Sequence, residues 1–436
     1  MKKAAIVAIV GRANVGKSSL FNSVLKRREA IVANEPGTTR DAISARASWH
    51  GHDFWLVDTA GIKDPEDDFE FTIQEQIAQA ADSADIIWVV IEADAPITEE
   101  DRKVAKMALK TKKPVYLLVN KADKVRGAKI DDYRKTGITE IFLTSATQNR
   151  GISAVLDQLV TDVPKANIKT DPNQVAVALL GRPNVGKSYL FNSLGKKQQA
   201  IVSDVAGTTR DINRVDVRYE KQTIELMDTA GIRRSGKIGQ GIERFSVIRS
   251  ISAIEQADVC LLLMDVNEFG TALDQKIAGM IKEAGKGLVL VISKWDSVED
   301  KDAFTHDQLA ARIKHTFDFV PWAPLIFTSS VTGQNVTKLF DIVLEIHQAR
   351  QTKITTPLIN RWLKKVTNTH PPAGLKNTTP KLQYIVQEAD NPTNFKVYGS
   401  DTKFLHWSYK RFMERKLREA YGFDGTPVRF WFFDKR

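Results

Sequence analysis

Residues 11–18 read GRANVGKS, and residues 181–188 read GRPNVGKS. The G-x-x-x-x-G-K-S spacing wraps successive backbone N–H groups around a phosphate at a helix N-terminus, where the helix dipole favours negative charge. The first loop is Gly11, Arg12, Ala13, Asn14, Val15, Gly16, Lys17 and Ser18; the second is Gly181, Arg182, Pro183, Asn184, Val185, Gly186, Lys187 and Ser188. Lys17 and Lys187 are expected to reach the β- and γ-phosphates, and the hydroxyls of Ser18 and Ser188 to ligate magnesium. An apolar run ending in glycine precedes each loop (AAIVAIV, VAVALL), and a helical pattern follows (SLFNSVL, YLFNSL). That context, met twice, lifts the pattern above a chance match.

The offset of 170 between the loops persists without a gap to DTAGI at 58–62 and 228–232, so a whole domain is duplicated. FWLVD, DIIWVVIE and VYLLVN read as buried strands in the first copy, and IELMD, DVCLLLMD and LVLVISK in the second. Strands alternating with helices predict a mostly parallel sheet covered on both faces. Past residue 350 the pattern changes to KLQYIVQ, FKVYGS and VRFWFF around the helical HWSYKRFMERKLREAYG, a smaller α+β unit. The expected organisation is a first domain at 1–163, a polar linker at 164–174, a second domain at 175–350 and a third at 351–436.

Composition narrows the function classes. Hydrophobic content of 42% and charged content of 27% are ordinary for a globular chain. A single cysteine excludes an intramolecular disulfide and any zinc site built from several cysteines, which fits a reducing cytoplasm. That residue, Cys260, lies within ADVCLLLMD and is expected in a buried strand. MKKAAIVAIV imitates a secretory signal, but it runs into Gly11 and Arg12 with no small-residue cleavage site. No apolar stretch approaches the ~20 residues that span a bilayer, so no membrane partner is expected. Of the formal net charge of +10, most sits at the end: residues 351–436 hold 16 Lys and Arg against 7 Asp and Glu. Such a surface is expected to meet a polyanion, with nucleic acid ahead of membrane.

Further motifs follow each phosphate loop in the same order. PGTTRD at 36–41 and AGTTRD at 206–211 offer Thr39 and Thr209 to complete a magnesium shell once a γ-phosphate is bound. The DTAG segments supply Asp58, Thr59, Ala60 and Gly61, then Asp228, Thr229, Ala230 and Gly231. Their aspartates are expected on the magnesium-bound water, and Gly61 and Gly231 on the γ-phosphate. Loops that close only on a triphosphate form a switch. NKAD at 120–123 (Asn120, Lys121, Ala122, Asp123) selects the base, because a carboxylate accepts two hydrogen bonds from guanine that adenine cannot offer. Ser145 and Ala146 of TSA are placed to support the same ring; the second copy has Ser293, Lys294, Trp295 and Asp296, with Ser329 and Ser330 of TSS.

The order of these motifs, their duplication and the basic tail resemble the Der (EngA) family of bacterial GTPases over essentially the whole chain. The closing HWSYKRFMERKLREAYGFDGTP is similar to that family's C-terminal signature. The resemblance implies two tandem P-loop GTPase domains and a C-terminal KH-like domain. It also implies a role in assembling the large ribosomal subunit, with that subunit and its rRNA as partners of a monomeric protein. Ala13 departs from the family's proline, Ser293 from its asparagine and Ser330 from its alanine. Intact Asp296 is expected to keep guanine preference while Ser293 lowers affinity. Ile62 and Ile232 stand where many GTPases carry a water-orienting glutamine, so transition-state charge needs another stabiliser. Asn14 and Asn184 match the asparagine that holds a potassium ion in potassium-activated GTPases; bracing of the loop is the competing role.

In the tail, Lys410, Arg411, Arg415, Lys416 and Arg418 crowd one helical stretch with Tyr409, Phe412 and Tyr421. RNA binding fits, with the aromatics at helical spacing read as core and the cations as the exposed face. GFDG at 422–425 has the spacing of a KH nucleotide-clamping loop but lacks a cation. The second switch continues RRSGK (233–237) and the first KDPEDD (63–68), so the basic one is expected to meet RNA or the tail. Two other functions compete: a binding scaffold in which GTP only sets domain arrangement, and a GTPase serving tRNA modification.

Overall fold

The computed structural model describes residues 4–25, 44–59, 63–64, 67–70, 77–78, 80, 83–163, 174–196, 213–220, 222–228, 247–299, 304–375, 378–389 and 393–434. The first unit holds β1 (Ala5–Val10), β2 (Ser44–Trp49), β3 (His52–Asp58), a small ladder of β4 (Lys63–Asp64) and β5 (Asp67–Glu70), then β6 (Ile86–Glu92), β7 (Val115–Asn120) and β8 (Glu140–Leu143). Its main sheet has the order β2-β3-β1-β6-β7-β8, antiparallel only between β2 and β3. The second unit repeats the arrangement with β9 (Gln174–Gly181), β10 (Asn213–Tyr219), β11 (Gln222–Asp228), β12 (Val259–Asp265), β13 (Gly287–Ser293) and β14 (Leu325–Phe327), ordered β10-β11-β9-β12-β13-β14.

β1 is apolar throughout because both of its faces are covered. Ile6, Ala8 and Val10 pack into one layer and Ala5, Val7 and Ile9 into the other. β2 alternates instead: Ala45, Ala47 and Trp49 are buried while Ser44, Arg46 and Ser48 are half-exposed, as suits an edge strand. Cys260 is buried on β12 as expected, and burial pushes its thiol up to about 12. No helix among the described residues is long and apolar enough to cross a membrane.

The third unit consists of β15 (Lys381–Gln387), β16 (Asn394–Ser400) and β17 (Arg429–Asp434) with helices Thr356–Thr369 and Trp407–Tyr421. β15 and β16 are antiparallel and β16 and β17 parallel; the helix Trp407–Tyr421 makes the crossover between the parallel pair. Tyr409, Met413 and Leu417, spaced by four along that helix, are buried against Ile385, Phe395 and Val397. Arg418 departs from the expected exposed cationic face. It pairs with Glu414 at 2.7 Å, lies over the Trp322 ring and donates to the Phe423 carbonyl, so it serves packing.

The units make direct contacts. Glu255, 3% exposed at the end of helix Val247–Gln256, accepts from the Ala4 backbone N–H (3.2 Å) and from Trp55 Nε1 (2.7 Å) of the first unit. Arg46 of β2 donates to the Glu283 carbonyl at 3.0 Å. The third unit joins the second through the GFDG turn: Leu288 N donates to Gly425 O (2.8 Å) and Gly425 N to Trp322 O (2.9 Å). A Cβ on Gly425 would lie 2.3 Å from Ile346 Cγ1. Arg350, also buried, closes the seam by donating to Gly285 O (2.8 Å) and Thr426 Oγ1 (2.9 Å).

Candidate nucleotide-binding sites

Both phosphate loops leave the C-terminal end of a central strand and enter a helix, Lys17–Leu25 or Lys187–Lys196. Their first glycines touch the neighbouring strand so closely that no other residue fits: a Cβ on Gly11 would lie 2.5 Å from Val90 O, and on Gly181 2.4 Å from Leu263 O. Asn14 (φ 64°) and Asn184 (φ 62°) take the left-handed conformation that asparagine tolerates better than most side chains. Lys17 and Lys187 are buried and curl back onto their own loops, donating to Gly11 O (2.8 Å) and Gly181 O (3.0 Å). Beside them Ser18 Oγ donates to Asp58 Oδ2 at 2.5 Å, and Ser188 Oγ to Asp228 Oδ2 at 3.3 Å. Hydroxyl and carboxylate, forty positions apart in sequence, thus meet at one point in each copy. Thr59, fully buried, ties its segment to β1 by donating to Ile9 O at 2.6 Å.

One pair of partners escaped the sequence reading. Arg12 Nε donates to Asp101 Oδ1 at 2.7 Å, and Arg182 Nε to Asp274 Oδ1 at 3.2 Å. Both aspartates are buried and occupy the third position of a capping box opened by Thr98 or Thr271. The phosphate loop is thereby anchored to the start of the helix Glu99–Lys110 or Ala272–Ala284. Burial pushes the Asp274 carboxyl up, against the pull of Arg182. The T-x-x-D spacing at 98–101 and 271–274 was the available signal, but it names a helix start and not its partner.

The base-side loops differ between the copies. In the first, Asn120 Nδ2 donates to Val15 O (3.0 Å) while its Oδ1 accepts from Ala146 N (3.2 Å), bridging the phosphate loop to the TSA turn. Lys121, left-handed at φ 61°, pairs with Glu92 and donates to Asn14 O at 3.2 Å. In the second, Ser293 Oγ lies 2.6 Å from Val185 O and 3.0 Å from Met264 O, and among the described residues nothing bridges it to Ser330. Lys294 pairs with Asp265 at 2.7 Å. The turns themselves match, with Ser145 N bonded to Arg150 O and Ser329 N to Gln334 O. Space confirms the difference: a Cβ on Gly16 would strike Asn120 Nδ2 at 2.3 Å, whereas one on Gly186 would meet nothing within 4 Å. Ala122 is half-exposed, Trp295 packs on Phe327 with ring centroids 4.7 Å apart, and Asp123 and Asp296 stand exposed at the rim.

Thr39, Ala60, Gly61, Ile62, Thr209, Thr229, Ala230, Gly231 and Ile232 lie outside the described residues, as do RRSGK and the linker up to 173. In the tail, Phe423 and Gly425 of GFDG are buried at the seam with the second unit, so this turn offers no open clamp.

Comparison with known proteins agrees with this geometry. A family described as 50S ribosome-binding GTPase matches twice, at residues 6–121 and 176–294. The KH-domain-like family of EngA bacterial GTPase enzymes, C-terminal, matches residues 353–432. GTPase Der of Caldanaerobacter subterraneus subsp. tengcongensis is 40% identical over 427 residues, 97% of each chain. GTPase Der of Chloroflexus aggregans is 42% identical over 433 residues, 97% of this chain and 96% of that protein. Among solved structures, Era in complex with MgGDPNP and a segment of 16S ribosomal RNA is 23% identical over 60% of this chain and 93% of that one, with a TM-score of 0.32, too low to carry an argument. Two G-domain matches in tandem, the KH-like match behind them and near-complete coverage of such relatives leave one assignment: the chain belongs to the Der (EngA) family and is a GTPase.

Proposed function

We propose that this GTPase is a cytoplasmic, monomeric assembly factor for the large ribosomal subunit, and that the nucleotide held in its sites governs how its domains are arranged and dock on rRNA. On this reading residues 1–163 and 175–350 are the G domains, joined by a linker at 164–174, and 351–436 form the RNA-facing domain. The observation that supports control of the domain arrangement is the Glu255 contact. Helix Val247–Gln256 is the next described element after the strand that ends at Asp228 of the second DTAG, and the buried carboxylate of its Glu255 is hydrogen-bonded to Ala4 and Trp55 of the first unit. A change of nucleotide that moved this helix would have to break or remake those bonds.

In each site the lysine ammonium and the loop N–H groups bind the phosphates, and the exposed aspartate reads guanine. Ser18 with Asp58, and Ser188 with Asp228, are the residues that fit a magnesium ion, since each pair brings a hydroxyl and a carboxylate together. Magnesium would neutralise charge on the β–γ oxygens. Thr39 and Thr209 are assigned to complete its shell, Gly61 and Gly231 to contact the γ-phosphate, and Asn14 and Asn184 to hold an activating potassium ion.

Co-sedimentation of the full chain with purified large subunits, in GTP, in GDP and without nucleotide, tests the docking. GTP-selective sedimentation is expected, and equal sedimentation in all three would refute nucleotide control. Turnover of Lys17→Ala and Lys187→Ala separates a two-site enzyme from a scaffold whose Ser293 copy does not hydrolyse.

A further inference from the structure

The seam buries the GFDG turn of the third unit, yet the same domain carries the chain's excess cations. Its sheet has a second face. Ile385 and Val397 point to the helices and are fully buried, and Phe430 and Phe432 pack against the same core. Strand alternation therefore turns Tyr384, Tyr398 and Phe433 the other way. These three are direct cross-strand neighbours, Tyr384 opposite Tyr398 and Tyr398 opposite Phe433. Their rings form a continuous row, with centroids 6.2 Å apart for the first pair and 5.4 Å for the second, which is stacked at 25°. Tyr384 and Phe433 are each 41% exposed in the full chain. The next row on this face is Val386, Lys396 and Trp431, and exposed Lys381 starts β15 on the same side as Tyr384.

We propose that this sheet face is a stacking platform for single-stranded RNA, with bases on Tyr384, Tyr398 and Phe433 and the phosphate backbone beside Lys381 and Lys396. The proposal rests on the docking reading above and names the surface and the RNA chemistry it takes. Two features select this occupant. Aromatic faces presented on an open sheet stack unpaired bases without regard to sequence, whereas a duplex keeps its bases hidden. Charge decides against a second copy of the chain: this domain, with 16 Lys and Arg against 7 Asp and Glu, would repel itself and attract a polyanion.

The test uses the full chain and fluorescein-labelled uridine and adenosine homopolymers of about 12 nucleotides, a length within the range of single-strand sites. Anisotropy is expected to show binding that Tyr384→Ala, Tyr398→Ala and Phe433→Ala each weaken roughly ten- to a hundredfold, the loss expected for one stacked base. Tyr398→Phe keeps the ring and should keep the affinity. Lys396→Ala should instead flatten the salt dependence, by a slope of about 0.7 for each phosphate no longer neutralised. Tyr384 and Phe433 are exposed enough for alanine to leave the fold intact, which matched thermal unfolding checks.

Parent-like affinity of all three alanine variants overturns the proposal, as does loss of self-association with RNA binding unchanged, which would assign the face to a second copy. If the parent sediments with large subunits but binds neither homopolymer, this proposal fails while the docking reading stands. If the parent binds the homopolymers through these rings but never sediments with subunits, the docking reading fails and the platform stands.

Discussion

Ser293→Asn is the most direct probe of the asymmetry between the two sites. Asn120 makes two bonds, to Val15 O at 3.0 Å and from Ala146 N at 3.2 Å. The Ser293 hydroxyl has one proton to give to either Val185 O or Met264 O, and it does not reach Ser330. The second site therefore lacks one buried hydrogen bond between its phosphate and base loops, a net contribution of about 0.5–1.5 kcal/mol. Asparagine at 293 can restore it without overpacking, because the space beside Gly186 that corresponds to the Asn120 amide is clear within 4 Å. Since 1.4 kcal/mol is about tenfold in a rate or equilibrium constant, release of labelled GDP from the second site should slow by roughly 2- to 12-fold. Stopped-flow release measured in a Lys17→Ala background isolates that site. Asn120→Ser, read in Lys187→Ala, should accelerate release from the first site by a similar factor. Release unchanged or faster in Ser293→Asn, with thermal unfolding unaltered, would refute the claim that this bridge governs nucleotide retention.

Other outcomes follow from particular contacts. Asn14→Gly with Asn184→Gly keeps the left-handed backbone and removes both amides, so GDP affinity should persist while potassium-stimulated turnover falls about 100-fold; stimulation that survives assigns the asparagines to loop conformation alone. Glu255→Gln leaves one of two buried donors facing an amide, and the full chain should lose about 1–3 kcal/mol of stability by denaturant unfolding. In that variant Lys187→Ala should no longer alter GDP release from the first site, and a coupling that persists would remove Glu255 from the route. Burial lowers Lys276 from 10.5 to about 8, so its contribution to stability is complete above pH 10.5 and lost as pH falls through 8. Lys276→Met should accordingly raise stability by about 1–2 kcal/mol at pH 7, and by nothing near pH 11, in thermal scans.

Much of the fold was legible because its signals are local. The apolar runs of β1 and β9, the loops that follow them and the helices beyond each state their structure within about a dozen residues, a helical nucleus needing no more. The KH-like unit was readable as three strands and a basic helix; of the aromatics read as its core, Tyr409 is buried and Phe412 and Tyr421 pack partly buried, while Met413 and Leu417 complete the buried side. Arg418 was misjudged because its partners, Trp322 and the Phe423 carbonyl, lie across a domain seam and a turn. GFDG had the spacing of a nucleotide clamp, but its accessibility depended on Ile346, Leu288 and Trp322, which no local pattern connects to it.

By itself the sequence determined that guanine nucleotide chemistry is duplicated, because G-x-x-x-x-G-K-S, DTAG and N/S-K-x-D work through backbone geometry and side-chain chemistry that short segments carry intact. Only the tertiary structure decided which loops are tied together, that Arg12 and Arg182 are anchored to helix caps, that Glu255 joins one G domain to the other, and that Tyr384 and Phe433 of the third sheet stay exposed. The physical reason is range. A hydrogen bond between residues 89 or 200 positions apart, such as Arg12 to Asp101 or Trp55 to Glu255, exists only once packing has brought its partners together.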